Sequence, residues 1–257
     1  MTSDSLHIGV LQMECHWMDR TTNINYVANH LAKLTATPDL LVLPEMWTTG
    51  FVMQPQEAAV HIADQSISHL QSIASTYDTA ILGSQAIVDG DSYYNRVLLT
   101  TAQGTTAVYD KQYLFTPAGE SQSYQAGTAI ATIDFRGWSI RPQVCYDLRF
   151  AESVRDADQP DLIIYMANWP TARIYHWEQL LIARAIENQC PVVGCNRVGT
   201  DNNGWDYNGK SAIIDHMGHS IDTVPVGSGY ISANLLRSAA EQYRSKMPFH
   251  KDKKSAV

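Results

Sequence analysis

The sequence predicts an α/β protein built as a layered sandwich, with strands of one sheet stacked on a second and helices covering them. Three observations point there. Short apolar runs rich in β-branched residues alternate with stretches of helical periodicity. The chain opens in β-α-β-α-β order, and from residue 82 to 138 strands follow one another without helices, which suits antiparallel pairs. With 45% hydrophobic and only 17% charged residues over 257 positions, the composition demands an extensive core.

The elements follow in chain order. Residues 7–13 (HIGVLQM) and 40–43 (LLVL) form buried strands. Between them Ile24, Val27, Leu31 and Leu34 recur at helical spacing, with Asp19 and Thr21 as candidate N-caps. Ile67, Leu70, Ile73 and Tyr77 mark a second helix. Strands are expected at 79–83, 96–100, 106–109, 139–144, 162–167 and 191–196. A third helix carries Trp177, Leu180, Leu181 and Ala185, and a fourth carries Leu236, Ala239, Ala240, Tyr243 and Met247 before Pro248 stops it. With no linker, repeat or low-complexity tract, residues 1–257 are expected to form one domain, from about 250 a flexible, solvated tail.

Charge and cysteine usage exclude several functions. A net charge of −8 and a pI near 5.5 leave no basic face for nucleic acid. No apolar stretch approaches the roughly 20 residues of a membrane span, and the first ten residues lack the pattern of a signal peptide. The 4 cysteines show no C-x-x-C pair and the 9 histidines no ligand spacing, so neither a disulfide framework nor a metal site is expected. A reduced, cytoplasmic protein needing no cofactor fits best.

One motif has to be dismissed. Residues 204–211 (GWDYNGKS) match the P-loop pattern G-x-x-x-x-G-K-[ST] literally. A P-loop needs a strand before it and a helix after it, because the helix N-terminus holds the phosphates. Here strand, turn and strand follow (212–215, 217–218, 221–224), and Asp206 would repel phosphate.

Three reactive side chains stand just past predicted strands: Glu45, Lys111 and Cys145. Residues past strand ends gather in a common crevice of an α/β sheet. Lys111 is the single lysine between Lys33 and Lys210, and apolar or aromatic neighbours surround it in sequence. A desolvated ammonium there needs carboxylate partners, for which Glu45 and Glu120 are candidates. A cysteine nucleophile needs a base, and a developing oxyanion needs a cation or N–H donor.

These segments resemble the nitrilase superfamily of carbon–nitrogen hydrolases. The signatures are Leu43-Pro44-Glu45-Met46, Tyr109-Asp110-Lys111 and Val144-Cys145-Tyr146-Asp147-Leu148-Arg149-Phe150. Asn168-Trp169-Pro170, the run 183–189 (ARAIENQ) and Asn196-Arg197-Val198-Gly199 resemble downstream segments of the same family. The likeness runs from about residue 7 to 248 and is closest to the omega-amidase branch. It implies a four-layer α-β-β-α sandwich of mixed sheets, a homodimer, and no metal or organic cofactor. It also implies a Glu45, Lys111, Cys145 triad, with Glu120 as a second pocket glutamate. Many relatives carry His, His, Phe and Pro where Tyr113, Ser121, Tyr124 and Ala151 stand, changes of pocket lining that leave the triad intact.

In that reading Lys111 and the backbone N–H of Tyr146 hold the oxyanion. Trp47, Phe51, Phe115 and Trp169 would wall the pocket, Arg173 would bind a distal carboxylate, and Arg149 is taken as a structural ion-pair arginine. The expected reaction is hydrolysis of the terminal amide of small omega-amido dicarboxylates, such as succinamate or 2-oxoglutaramate, through a cysteine thioester. Alternatives are a nitrile, N-carbamoyl amino acid or deaminated-glutathione type substrate, a Cys–His thiol enzyme, or a non-catalytic metabolite binder. The dimer contact is expected at the helix carrying Trp177.

Overall fold

In the computed structural model, which describes residues 3–154, 159–224 and 226–252, alternate residues of the central strands feed two different cores. The first sheet contains β1 (Ser5–Gln12), β2 (Leu40–Val42), β3 (Ala80–Asp89), β4 (Ser92–Thr101) and β5 (Gly104–Asp110). The second contains β6 (Ile133–Phe135), β7 (Trp138–Val144), β8 (Leu162–Ala167) and β9 (Val192–Asn196). A small ribbon of β10 (Val198–Thr200) and β11 (Asp206–Asn208) intervenes before β12 (Ala212–Ile214) and β13 (Ser220–Thr223) complete that second sheet. The last strand, β14 (Gly229–Leu236), returns to the first sheet and pairs antiparallel with β1.

Both sheets are mixed. Strands β1, β2 and β3 are parallel neighbours, with β4 and β5 added antiparallel in turn, so β5 again points the way β2 does. Likewise β7, β8 and β9 are parallel, flanked by antiparallel β6 and β12. The period-2 geometry of a strand then sorts the side chains. Leu40 and Val42 of β2, with Leu162, Ile164 and Met166 of β8, fill the layer between the sheets. Leu41 and Leu43 point the other way, as do Ile163 and Tyr165, toward helices. Strands buried on both faces explain the continuous apolar runs. Each Val, Leu or Ile buried this way is worth about 1.5–3 kcal/mol of transfer free energy.

The helices are α1 (Arg20–Leu31), α2 (Pro55–Ala58), α3 (Gln65–Tyr77), α4 (Glu120–Ser123), α5 (Ile174–Asn188) and α6 (Arg237–Lys246). Ile24, Val27 and Leu31 of α1 and Ile67, Leu70 and Ile73 of α3 cover the first sheet. Trp177, Leu181 and Ala185 of α5 cover the second, which completes the α-β-β-α order. Asp19 caps α1 by accepting from the Thr22 amide at 3.0 Å, whereas Thr21 lies inside the first turn. None of the described helices is long and apolar enough to cross a membrane.

Several expectations need correction. The whole of β14 was absent from the sequence reading, and Leu236 ends that strand rather than opening the last helix. Trp177 is fully buried, its Nε1 donating to the Lys210 carbonyl at 2.8 Å, so it presents no aromatic surface to a second copy. The tail expected from about 250 falls mostly on 253–257, outside the described residues, while Phe249–Asp252 form a 3-10 turn.

The false P-loop leads into a strand, β12, as its context required. Gly209 sits at φ 79°, and a Cβ there would lie 2.1 Å from Gln12 Nε2. Gln12 fills the space a phosphate would need and accepts the Ser211 amide at 2.9 Å. Glycine here serves close approach of a side chain, not of a nucleotide.

Candidate active site

Strand β7 of one sheet and strands β2 and β5 of the other bring their C-terminal ends together, and Glu45, Lys111 and Cys145 stand just past them. Lys111 Nζ lies 2.8 Å from Glu45 Oε1 and 2.7 Å from Glu120 Oε2, and all three side chains are fully buried. Asn95, in the middle of β4, donates Nδ2 to Glu45 Oε1 at 2.8 Å and to Glu120 Oε1 at 3.1 Å. The Phe115 amide donates to Glu120 Oε2 at 2.6 Å. From the other sheet, the Asn168 amide donates to Glu45 Oε2 at 2.9 Å, and its Nδ2 reaches the Glu45 carbonyl at 2.8 Å. Glu45 is therefore held on every side, which fixes its carboxylate without a rotamer search.

Burial works against the Lys111 ammonium, but the Glu120 and Glu45 carboxylates outweigh it and hold the lysine protonated well above its usual range. Two of its three N–H bonds are taken by glutamates, leaving one for a ligand. Burial, and next the Glu45 charge, push the Cys145 thiol well above a free cysteine, with Lys111 pulling the other way. The resting nucleophile is thus a thiol, and attack requires a base to take its proton. Cys145 itself has φ 47°, a left-handed conformation that aims its side chain off the end of β7. Its Sγ approaches the Asn168 carbonyl at 3.8 Å.

A buried carboxylate braces this nucleophile turn, the 3-10 segment Cys145–Arg149. Asp147 accepts from the Val144 amide at 2.8 Å and from the Tyr113 amide and Tyr109 hydroxyl at 2.9 Å each. It joins the Cys145 turn to the segment around Lys111. Burial pushes the Asp147 carboxyl up to about 6, opposed by the Val144 and Tyr113 amides. The folded protein then binds that proton more tightly than the unfolded chain, whose aspartate titrates near 3.8. Between those values stability falls as pH rises, by about 1.4 kcal/mol per pH unit from this group. Relative to Asp147→Asn, the wild type is expected to lose stability from about pH 4.5 to about pH 6 and to change little above. Urea unfolding of both proteins across that range measures it, and parallel curves would remove the assignment.

Above the thiol lies a cavity of about 370 Å³, open mouth included. Phe51, Phe115, Trp169 and Arg173 line it. Trp47 does not: it is buried in the core beneath the first sheet, where a Cβ on Gly83 would come within 2.7 Å of its indole. Among the described residues Arg149 makes no ion pair, contrary to the sequence expectation. Its guanidinium lies 4.9 Å from the Trp169 ring and lines the cavity. Asn95, Asn168, Trp205 and Tyr207 were not singled out, and the last two come from the segment that mimics a P-loop. Asn168 had a signal, its place in a quoted segment; Asn95 in mid-strand had none.

The arrangement can deprotonate a thiol, stabilise an oxyanion and seat a short chain. A carbon–nitrogen hydrolase family model matches residues 7–245. The chain is 41% identical over 248 residues to Omega-amidase YafV of Escherichia coli (strain K12), covering 96% of each. It is 30% identical over 250 residues to a 2-oxoglutaramate amidase of Bacillus subtilis (strain 168), covering 95% of this chain and 96% of that one. The crystal structure of XC1258 from Xanthomonas campestris, a CN-hydrolase superfamily protein with an arsenic adduct in its active site, superposes with TM-score 0.92. That protein is 34% identical, with 98% of both chains covered.

Proposed function

The chain belongs to the carbon–nitrogen hydrolase family, and from that premise we propose that it hydrolyses the terminal amide of small omega-amido acids, of succinamate and 2-oxoglutaramate type. The observation that carries this is the ammonium of Lys111 clamped between Glu45 and Glu120 beside the Cys145 thiol.

Glu45 takes the thiol proton as Sγ attacks the amide carbon. The remaining Lys111 N–H and the Tyr146 backbone N–H, at the start of the 3-10 turn where helical geometry leaves it free, hold the oxyanion. Collapse breaks the C–N bond, and protonated Glu45 gives its proton to departing ammonia, leaving a thioester on Cys145. Glu45 then takes a proton from water, which attacks the thioester and releases the acid and the thiol. Glu120 neither gives nor takes a proton. It fixes Lys111 and, through the Phe115 amide, the cavity wall.

Ammonia release from succinamate, glutaramate, 2-oxoglutaramate, butyramide, an N-carbamoyl amino acid and a short nitrile tests the reading. Turnover of the last two in preference to the acids would replace it. Arg173 stands over the Phe115 and Trp205 rings at 5.5 and 5.1 Å, with no acidic partner among the described residues. We assign it the far carboxylate of the substrate, as a charge-assisted pair. Arg173→Leu is expected to raise KM for succinamate by about 10²-fold, the loss of a charged hydrogen bond of roughly 1.5–3 kcal/mol, and KM for butyramide far less. An equal change for both compounds removes that role.

A second copy of the chain is assigned to the outer face of α5, where Tyr175, Ile186 and the neighbouring Met217 are 69%, 52% and 47% exposed. Light scattering at micromolar concentration should give twice the chain mass, and a monomer there refutes it. Four unpaired cysteines, three of them buried, suit a reducing compartment, and we place the enzyme in the cytoplasm.

A further inference from the structure

The cavity holds two guanidinium groups, and the reading above uses one. Arg149 leaves the nucleophile turn and stands over Trp169 at 4.9 Å, while Arg173 stands over Phe115 and Trp205. One indole organises both, because Trp169 presents its ring face to Arg149 and donates its Nε1 to the Arg173 carbonyl at 2.8 Å. Trp169 is itself locked, buried and held by its backbone amide on Asn196 Oδ1 at 2.8 Å. The contact to Arg149 beyond that ring is His176 Nδ1 at 3.2 Å, from the first turn of α5. Among the described residues neither arginine meets a carboxylate.

A guanidinium stacked on an aromatic ring has its face desolvated and its edge N–H groups still seeking acceptors. A carboxylate satisfies one such fork. A second fork in the same cavity asks for further acceptors on the ligand, next to that carboxylate. Among the described residues no aspartate, glutamate or histidine lines the cavity, so an ammonium group brought to the same place finds two cations and no carboxylate. Such a site favours a ligand whose head is all acceptors.

We propose that Arg149 reads the substituent at carbon 2 of the substrate, accepting omega-amides of 2-oxo acids and rejecting those of 2-amino acids, with His176 as its positioning residue. The inference rests on the omega-amidase reading. Arg173 takes the carboxylate, and Arg149 donates to the 2-oxo oxygen beside it. His176 accepts from Arg149 Nη2 and keeps the fork edge-on to the ligand. An amine at carbon 2 would instead be buried against like charge without a carboxylate to offset it, a mismatch that such sites punish heavily.

The test compares kcat/KM for 2-oxoglutaramate, glutaramate and glutamine in the wild type and in Arg149→Gln, Arg173→Gln, His176→Ala and His176→Gln. Each preference is a ratio measured on one preparation, so partial misfolding cancels. Arg149→Gln is expected to lower the preference for 2-oxoglutaramate over glutaramate about tenfold and to narrow the gap to glutamine. Arg173→Gln should lower both acids alike. His176→Ala should shift the ratio in the same direction as Arg149→Gln, and His176→Gln, which keeps an acceptor, should restore it. A preference unchanged by Arg149→Gln in an enzyme active on glutaramate overturns the role of Arg149 alone. A wild type inactive on every omega-amide overturns the omega-amidase reading, and this inference with it.

Discussion

Glu45→Gln is expected to cut kcat for every amide by at least about 10³-fold, because one carboxylate serves as base in both half-reactions. The loss should not come from collapse of the site. Lys111 keeps Glu120 at 2.7 Å, and the site sheds a negative charge rather than gaining one. A glutamine at 45 must still turn its NH₂ toward either the Lys111 and Asn95 donors or the Asn168 amide, a donor–donor conflict worth about 1–3 kcal/mol. The discriminating readout is the thiol. Glu45 raises the Cys145 pKa, so its removal should lower the pH midpoint of alkylation by iodoacetamide while turnover stops. Near-normal kcat would take the base role away from Glu45, and an unchanged midpoint would remove its charge from beside the thiol.

Lys111→Met should abolish turnover and also destabilise the fold, by about 3–5 kcal/mol, the cost of stripping a buried ion cluster of its only cation. Lys111, Glu45 and Glu120 are all at zero exposure, so the change reaches the fold as well as the chemistry. Two carboxylates left without their cation must take up protons or admit water. Adding Glu120→Gln to Lys111→Met removes one of them and should recover part of the stability without any turnover. Urea midpoints of wild type, single and double variants measure the cycle. A Lys111→Met protein as stable as the wild type would mean the cluster is wetter than its geometry shows.

Much of this was legible in the chain. The parallel strands announce themselves as short apolar runs because both their faces are buried, and the three reactive residues follow them directly. What was lost was lost for local reasons. Strand β14 carries Ser232 and Asn234 on a partly exposed face and only the small Ala233 between Ile231 and Leu235 on the other, which blurs both its propensity and its period. Strands β6, β10 and β11 have three residues each, too few for any period. Trp47 lies two residues from Glu45 in sequence, yet Met46 between them sits at φ 43° and turns the chain so that the indole enters the core. Arg149 was given an ionic role because it stands two residues past Asp147; here an aromatic face stands in. Asn95 bridges both glutamates only because β4 lies between β3 and β5, a fact of strand order that spacing along the chain does not carry.

The pairing of β14 with β1 has a consequence for synthesis on the ribosome. Ser5 meets Leu236 and Gln12 meets Gly229, so β1 waits for a strand made more than 200 residues later. Until then one edge of β1 displays open N–H and C=O groups beside the apolar layer between the sheets. The triad adds a second delay, since Glu45 and Lys111 ride on one sheet and Cys145 on the other. No nascent chain short of about residue 236 can therefore close the site, however well its early β-α-β unit has formed. The first amide hydrolysed by a newly made molecule reports that β1 and β14 have met and both sheets have docked, which makes the onset of activity a clock for a slow, highly non-local step of folding.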